Sequence, residues 1–366
     1  MNFAMTPEQE ELKATTRRFL SQRLPTSQTR AIMETEHPIA LDVWATMASE
    51  LGVAGVLVPE SAGGLGLGFV EAACILQEIG RVVAPLPFLV TSVLAVELLS
   101  FGDPMAPAIA STLEGIATGA VVVGLMGRSA EDPLAPCGTL SSNKVDAESR
   151  FVLDGAQATH LLVALESEEG PMLALVSATS PGVHITAQTT LDLTRPIAEA
   201  TLNAADATIV LDPSAFERAR ASFATMASAA IAQDMIGGAE RVLEMSVDYA
   251  KDRHQFGRPI GSFQAIKHRL ADMLVDVESA RSTALYAAFT IADGADDQAV
   301  AAATAKSVCG DAYFRVASAA IQVHGGIGFT WEHDAHLYFK RAKADQILFG
   351  NGPLHRRRLA GLLGLT

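Results

Sequence analysis

The hydrophobic period of this chain changes twice, near residue 119 and again at residue 212, and that double switch limits the fold more than any other feature. Before 119 the apolar residues recur at helical spacing. Thr6 followed by Pro7, with Gln9 three positions after Thr6, reads as a capping box with proline at the first helical position. Leu12, Phe19 and Leu20 supply the apolar stripe behind it, and Trp44, Met47 and Leu51 mark a second short helix. Two more are expected over 70–79 and 88–99, parted by Ala84-Pro85-Leu86-Pro87. From 120 to 211 the period shortens. Runs rich in Val, Ile or Leu at 120–125, 151–153, 161–165, 172–176, 183–186 and 207–211 are punctuated by Gly, Pro and Asp. They predict antiparallel strands rather than βαβ units. At Asp212-Pro213, an expected cap and first position, the helical period returns. Helices are predicted over 213–250, 264–292 and 297–323, with Ile266, Leu270, Met273, Leu274 and Val277 on one face of the second. Short turns between them predict antiparallel packing in a bundle. The expected domains are 1–117 (helical), 118–211 (β) and 212–366 (helical bundle).

With 49% hydrophobic residues among 366, the chain can build a large core. Its 27 Lys and Arg against 41 Asp and Glu leave a formal charge of −14, which repels phosphate backbones and anionic lipid. Neither nucleic acid nor membrane insertion is expected. Cys74, Cys137 and Cys309 are widely separated and form no Cys-x-x-Cys pair, which argues against a disulfide scaffold or zinc ribbon. The first 20 residues are charged and helix-patterned, unlike an export signal, and the Ala-rich run 299–305 is bounded by Asp297 and Lys306. A soluble, cytoplasmic protein is the expectation.

Four segments carry candidate chemistry. The loop Ala62-Gly63-Gly64-Leu65-Gly66-Leu67-Gly68 lacks the Gly-x-Gly-x-x-Gly spacing of a dinucleotide fingerprint and reads as a turn needing positive φ before a helix. The segment from Arg253 to Gln264 combines two guanidiniums, a glycine turn, two aromatics and an amide. A guanidinium fork can hold a pyrophosphate and a ring beside it can cover an adenine or ribose; an inter-helix turn with solvated arginines has the same pattern. Gln322-Val323-His324-Gly325-Gly326-Ile327-Gly328-Phe329 ends the third helix, where paired glycines make a cap or let another backbone or a cofactor approach. His333 and His336 have no carboxylate-rich helix face beside them, so no metal site is expected. His355-Arg356-Arg357-Arg358 reads as cations compensating a helix C-terminus. There is no Gly-x-Ser-x-Gly elbow.

Arg253-x-x-Phe256-Gly257, then Phe263-Gln264, then Gln322-x-x-Gly325-Gly326-x-Gly328 together resemble the acyl-CoA dehydrogenases, as do the opening Thr6-Pro7-Glu8-Gln9 and the stretch from Leu51 to Gly66. The resemblance covers essentially the whole chain. It implies a mainly α fold: an N-terminal helical domain, a middle antiparallel β-barrel or sandwich, and a C-terminal four-helix bundle. It also implies FAD at a subunit interface and removal of an α-proton from an acyl-CoA by a carboxylate, with the β-hydride passing to the flavin. By this resemblance Arg253 meets the pyrophosphate of a neighbouring subunit's FAD, and Phe256, Gln264, Gln322, Gly325 and Gly326 line its adenosine part.

The departures narrow the reading. The stretch Ile347-Leu348-Phe349-Gly350-Asn351-Gly352 places Phe349 where the family's usual catalytic Glu stands, and a phenyl ring accepts no proton. The alternative base position reads Thr225-Met226-Ala227-Ser228-Ala229, with no carboxylate. Glu240 and Glu244 are the remaining candidates for a displaced base. The stretches 124–132 and 153–160 also differ from the loops that line a flavin ring in the family. This pattern resembles the non-catalytic, ADP-side subunit of heteromeric α₂β₂ members acting on steroid side-chain CoA esters. A homologous catalytic partner would then hold the acyl-CoA, with an external electron acceptor. An autonomous homomeric dehydrogenase and a non-redox structural subunit are the alternatives.

Overall fold

The computed structural model describes residues 4–36, 38–141 and 143–365. The first helices are α1 (Pro7–Arg23), α2 (Thr26–Met33), α3 (Leu41–Leu51) and α4 (Phe69–Arg81). A wide π-helical stretch, Leu89–Ala95, leads into α5 (Val96–Leu99), and α6 (Pro107–Ala117) follows. The strands are β1 (Val123–Gly127), β2 (Gly138–Ser141), β3 (Lys144–Leu153), β4 (His160–Leu165), β5 (Met172–Ser177), β6 (Val183–Gln188), β7 (Ile197–Asp206) and β8 (Thr208–Leu211). Then come α7 (Pro213–Asp252), the two-residue strands β9 (His254–Gln255) and β10 (Arg258–Pro259), and α8 (Gln264–Ala292). The last helices are α9 (Gln298–His324), α10 (Ala335–Ile347) and α11 (Gly352–Leu362). By internal contacts the chain divides into two units: one of residues up to Thr26, Ala73–Ala84 and Ser228 onward, the other of Ser27–Ala72 and Pro85–Ala227.

In the second unit the sheet runs β6-β7-β3-β1-β4-β5-β8, with β2 on β3. Its pairs are antiparallel except β1 with β4, where Val123 to Met126 run parallel to His160 to Val163. The expected all-antiparallel order is corrected here. β3 runs down one side of β1, and the turn at 154–159 crosses beneath β1 and returns the chain up its other side. The inward positions Met126, Val145, Val152, Leu161, Val163 and Val176 form the core of this sheet. β7 escaped the sequence pattern because its inward residues are mostly Ala198, Ala200 and Ala205, weak strand formers that nonetheless alternate with exposed neighbours. The glycine-rich loop is the expected turn: Gly63 and Gly66 have φ of 79° and 60°. Its N–H groups are spent internally, Leu65 on Gly55 O, Gly66 on Val58 O and Leu67 on Val56 O, so it forms no phosphate cradle.

In the first unit α1 opens with the expected capping box: Thr6 N–H donates to Gln9 Oε1 (2.9 Å) and Gln9 N–H to Thr6 Oγ1 (3.3 Å). Arg17 forks onto Glu78 of α4 through two 2.8 Å bonds. There α4 crosses α7 at two glycines. A Cβ on Gly80 would lie 2.0 Å from Asp234 O, and one on Gly237 would lie 1.8 Å from Gln77 O, so only glycine admits this approach. Asp234 also takes Arg341 of α10, in an ion pair buried at both ends. The start of α7, which belongs to the second unit, is as read, with Asp212 Oδ1 accepting from Ala215 N–H at 2.8 Å.

Two details of this unit differ from expectation. On α8 the buried stripe is Met273, Val277, Ala280, Ala284 and Ala287, leaving Leu274 exposed beside Val275. The alanines carry the i+3/i+4 progression onward from Met273 and Val277, and Leu274 lies about 100° around the helix from Met273. The basic tetrapeptide 355–358 sits in the first half of α11, not at its C-terminus, because Asn351 caps this helix and Pro353 lies in its first turn. His355 is buried with Nε2 at 2.9 Å from Phe349 O, and Arg356 pairs with Asp311.

Candidate nucleotide-binding site

α7 ends at Asp252 and the chain at once folds into the β9–β10 hairpin, with Arg258 opposite Gln255 and Pro259 opposite His254. Its two turn residues, Phe256 (φ 53°) and Gly257 (φ 77°), both take the left-handed conformation that a primed two-residue turn requires. Glycine does so freely; phenylalanine there is strained. The turn thrusts the Phe256 ring into solvent, 91% exposed, where it meets Phe263 edge-on at 6.1 Å between centroids. Arg258 lies over the Phe263 ring at 4.2 Å. Ile260 N–H donates to Arg253 O (2.7 Å), closing the hairpin base. Gln264 opens α8 with its side chain exposed, as is that of Arg253. The inter-helix segment is therefore an ordered arm bearing cations and an open aromatic face.

The second arm follows α9. Gly325 (φ 62°, ψ −139°) breaks the helix, and residues Gly325–Phe329 form a 3-10 turn with Phe329 85% exposed. The three glycines of this motif serve different ends. Gly325 is needed for its dihedrals. Gly328 is needed for space, since a Cβ there would lie 2.8 Å from His324 Cβ and 3.0 Å from Ile321 O. Gly326 has neither reason: its φ is ordinary and a Cβ would meet nothing within 4 Å. Gln322 and Gly326 lie exposed on this arm.

A ring stack joins the two arms. Tyr249, on the last turns of α7, packs against His324 (4.5 Å between centroids), and His324 packs against His333 (4.3 Å). Burial lowers the His324 pKa, opposed by its bond to Ala320 O. Arg253, Phe256, Gln264, Gln322, Gly325 and Gly326 are thus brought onto one unit as two neighbouring arms. The sequence reading missed Tyr249 and His333. The only local signal for Tyr249 was its position four residues before Arg253, one helical turn away.

Phe349, Glu240 and Glu244 are on the same unit, whereas the stretch 225–229 straddles the boundary between the two units. Phe349 is buried, with φ 60°, and Gly350 follows at 96°. Lys306 Nζ holds this turn by donating to Asp345 O (3.0 Å), Gln346 O (3.1 Å) and Gly350 O (2.8 Å), and burial pushes its pKa down to about 8. His355 Nε2 holds Phe349 O from the other side. Glu240 accepts from Arg281 Nε at 2.7 Å. Glu244 is gripped by Arg81 and Arg241; burial raises its pKa, and the bonds and charges of these arginines outweigh it and hold the carboxyl below its ordinary value. His336 stacks on Trp331 at 4.6 Å. Among the described residues no group of three or more His, Cys, Asp or Glu is placed to hold a metal ion, and no helix is long and apolar enough to cross a membrane.

The chemistry of these arms fits the ADP half of FAD. Arg253 carries a charge with no ion pair among the described residues, Phe256 offers an open ring, and Gly326 leaves room for close approach. Comparison with known proteins bears on the family. Residues 216–363 match the acyl-CoA dehydrogenase C-terminal domain and residues 6–109 the acyl-CoA dehydrogenase N-terminal domain. Acyl-CoA dehydrogenase IpdE2 of Mycolicibacterium smegmatis is 34% identical over 97% of this chain and 98% of its own. The ChsE4-ChsE5 complex from Mycobacterium tuberculosis contains a chain 28% identical, with a TM-score of 0.88 and full coverage of both. A chain of the Tcur3481-Tcur3483 steroid ACAD is 29% identical, with a TM-score of 0.86 over 98% of each. On this agreement of motifs, fold and whole-length similarity, the chain belongs to the acyl-CoA dehydrogenase family of FAD-dependent oxidoreductases.

Proposed function

We propose that this chain is the ADP-side subunit of a heteromeric α₂β₂ acyl-CoA dehydrogenase, cytoplasmic, with domain boundaries near 117 and 211. The observation that carries the reading is the pairing of two ordered nucleotide arms with a phenylalanine, Phe349, at the family's base position. FAD, when bound, supplies the acceptor for the substrate's β-hydride. Arg253 binds its pyrophosphate, and Phe256, Gln264, Gln322, Gly325 and Gly326 enclose the adenosine end and exclude water from it. The acyl-CoA would lie in the partner's site, where a partner carboxylate would take the α-proton, with an external electron acceptor completing the system. Exposed Phe256, Leu274, Val275, Ile327, Phe329 and Trp331 on the same unit support a protein partner. The similarity to chains of two-component assemblies, one described as a steroid ACAD, supports both the heteromer and a steroid side-chain CoA ester as substrate.

An autonomous enzyme would need Glu240 or Glu244 as its base, and both are engaged by arginines. The test is flavin stoichiometry. The chain purified alone should hold little FAD, and the chain co-purified with its homologous partner should hold about one FAD per pair. Arg253→Ala should empty that site; unchanged flavin content would favour a purely structural subunit. Full flavin occupancy with turnover by the lone chain would overturn the proposal.

A further inference from the structure

We propose that Tyr249, His324 and His333 form a strut that sets the spacing of the two arms, making Tyr249 and His333 positioning residues for the nucleotide. The inference rests on the proposed function for what the arms hold, but the strut is visible in the fold itself. Each ring is fixed by the backbone at one of the points it connects. Tyr249 O accepts the N–H of Arg253 (2.8 Å), so the first residue of the hairpin is tied to the residue whose ring begins the stack. His324 Nδ1 lies 2.8 Å from Ala320 O and so carries its proton there, which fixes the ring plane at the end of α9. His333 Nδ1 accepts from Ala335 N–H at 3.1 Å, anchoring the third ring to the start of α10. Tyr249 also meets His333 edge-on at 6.5 Å, so the three rings close on one another rather than forming an open chain. Gly328 completes the device, because only glycine lets the 325–329 turn fold back onto His324. Arms that start from α7 and α9, each closed by its own turn, are thereby held to one another by aromatic contact.

The test uses the co-purified complex and three variants of this chain: Tyr249→Leu, Tyr249→Phe and Arg253→Ala. FAD affinity is read by flavin fluorescence on reconstituting the apo-complex. The lone chain is digested with trypsin, following cleavage after Arg253, a measure of hairpin order that involves neither flavin nor partner. Tyr249→Leu should weaken FAD about tenfold, the factor that losing one ring contact represents, and speed cleavage at Arg253. Tyr249→Phe should restore both, and the melting midpoint of the complex should be unchanged in each. If Tyr249→Leu melts early, His333→Leu, at a half-buried position, carries the same measurements. Release of FAD by Arg253→Ala but not by Tyr249→Leu or His333→Leu would overturn the strut while leaving the proposed function intact. Retention of FAD by Arg253→Ala would overturn the proposed function, and with it the nucleotide role of the strut, whatever the cleavage rates.

Discussion

The three glycines of the second arm can be separated by one methyl group each. At Gly326 a Cβ meets nothing within 4 Å and φ is ordinary, so Gly326→Ala restricts the unfolded chain without straining the folded one. It should stabilise the lone chain by about 0.4–1 kcal/mol, a rise of about 1–3 °C in melting midpoint. In the complex the same methyl projects toward whatever approaches the arm. Overpacking by a methyl costs about 1–3 kcal/mol, which is roughly five- to hundredfold in FAD affinity. Gly325→Ala instead forces alanine into φ 62°, ψ −139°, at a cost of about 1–3 kcal/mol to the fold. Gly328→Ala, with contacts of 2.8 and 3.0 Å to His324 Cβ and Ile321 O, should cost a similar ~1–3 kcal/mol. Scanning fluorimetry on the lone chain and flavin content of the complex give the two readings. Untouched flavin binding in Gly326→Ala, or a melting midpoint lowered as much as in Gly328→Ala, would refute this separation of roles.

Two further outcomes follow from buried groups. Burial lowers the His355 pKa to about 4, partly opposed by its bond to Phe349 O, and protonating Nδ1, which has no hydrogen-bond partner among the described residues, would bury an N–H without an acceptor. The unfolded chain, with an ordinary value near 6.5, therefore binds more protons between pH 6.5 and 4, so stability falls as pH drops through that window, by about 3 kcal/mol in all. Melting against pH should show this acid limb, and His355→Gln should flatten it. Arg341→Met should cost about 3–5 kcal/mol by leaving Asp234 charged and buried, seen as a large fall in melting midpoint that Asp234→Asn in the same chain partly reverses.

How much of this was legible follows from what a local pattern can encode. The helix expected over 264–292 is Gln264–Ala292, because a run of 29 residues gives the 3.6 period room to declare itself. β2 has four residues and β7 buries mostly alanines, so neither offered an apolar signal of its own. The parallel pairing of β1 with β4 is a matter of which side of β1 the chain returns on, and no residue in either strand records that. Leu274 reads as part of the buried face because apolar character marks a stripe but not what covers it. At the site, the chemical types in both arms were readable, as was the loss of a carboxylate at Phe349. The left-handed turn there and the Lys306 and His355 side chains holding it were not, since Lys306 lies 39 to 44 residues from the carbonyls it caps. Tyr249 and His324 meet across 75 residues for the same reason: contact between distant segments leaves no period.

The hairpin tip has a practical consequence. An apolar ring held out in water at Phe256, 91% exposed, makes the isolated chain prone to stick to other apolar surfaces. A partner docking here would remove the exposure but not the backbone strain beneath it, and a tip already shaped by its turn would lose little freedom on meeting one. Preparations of the isolated chain should accordingly be the ones that clump on concentration, and replacing this single ring by serine should keep them clear.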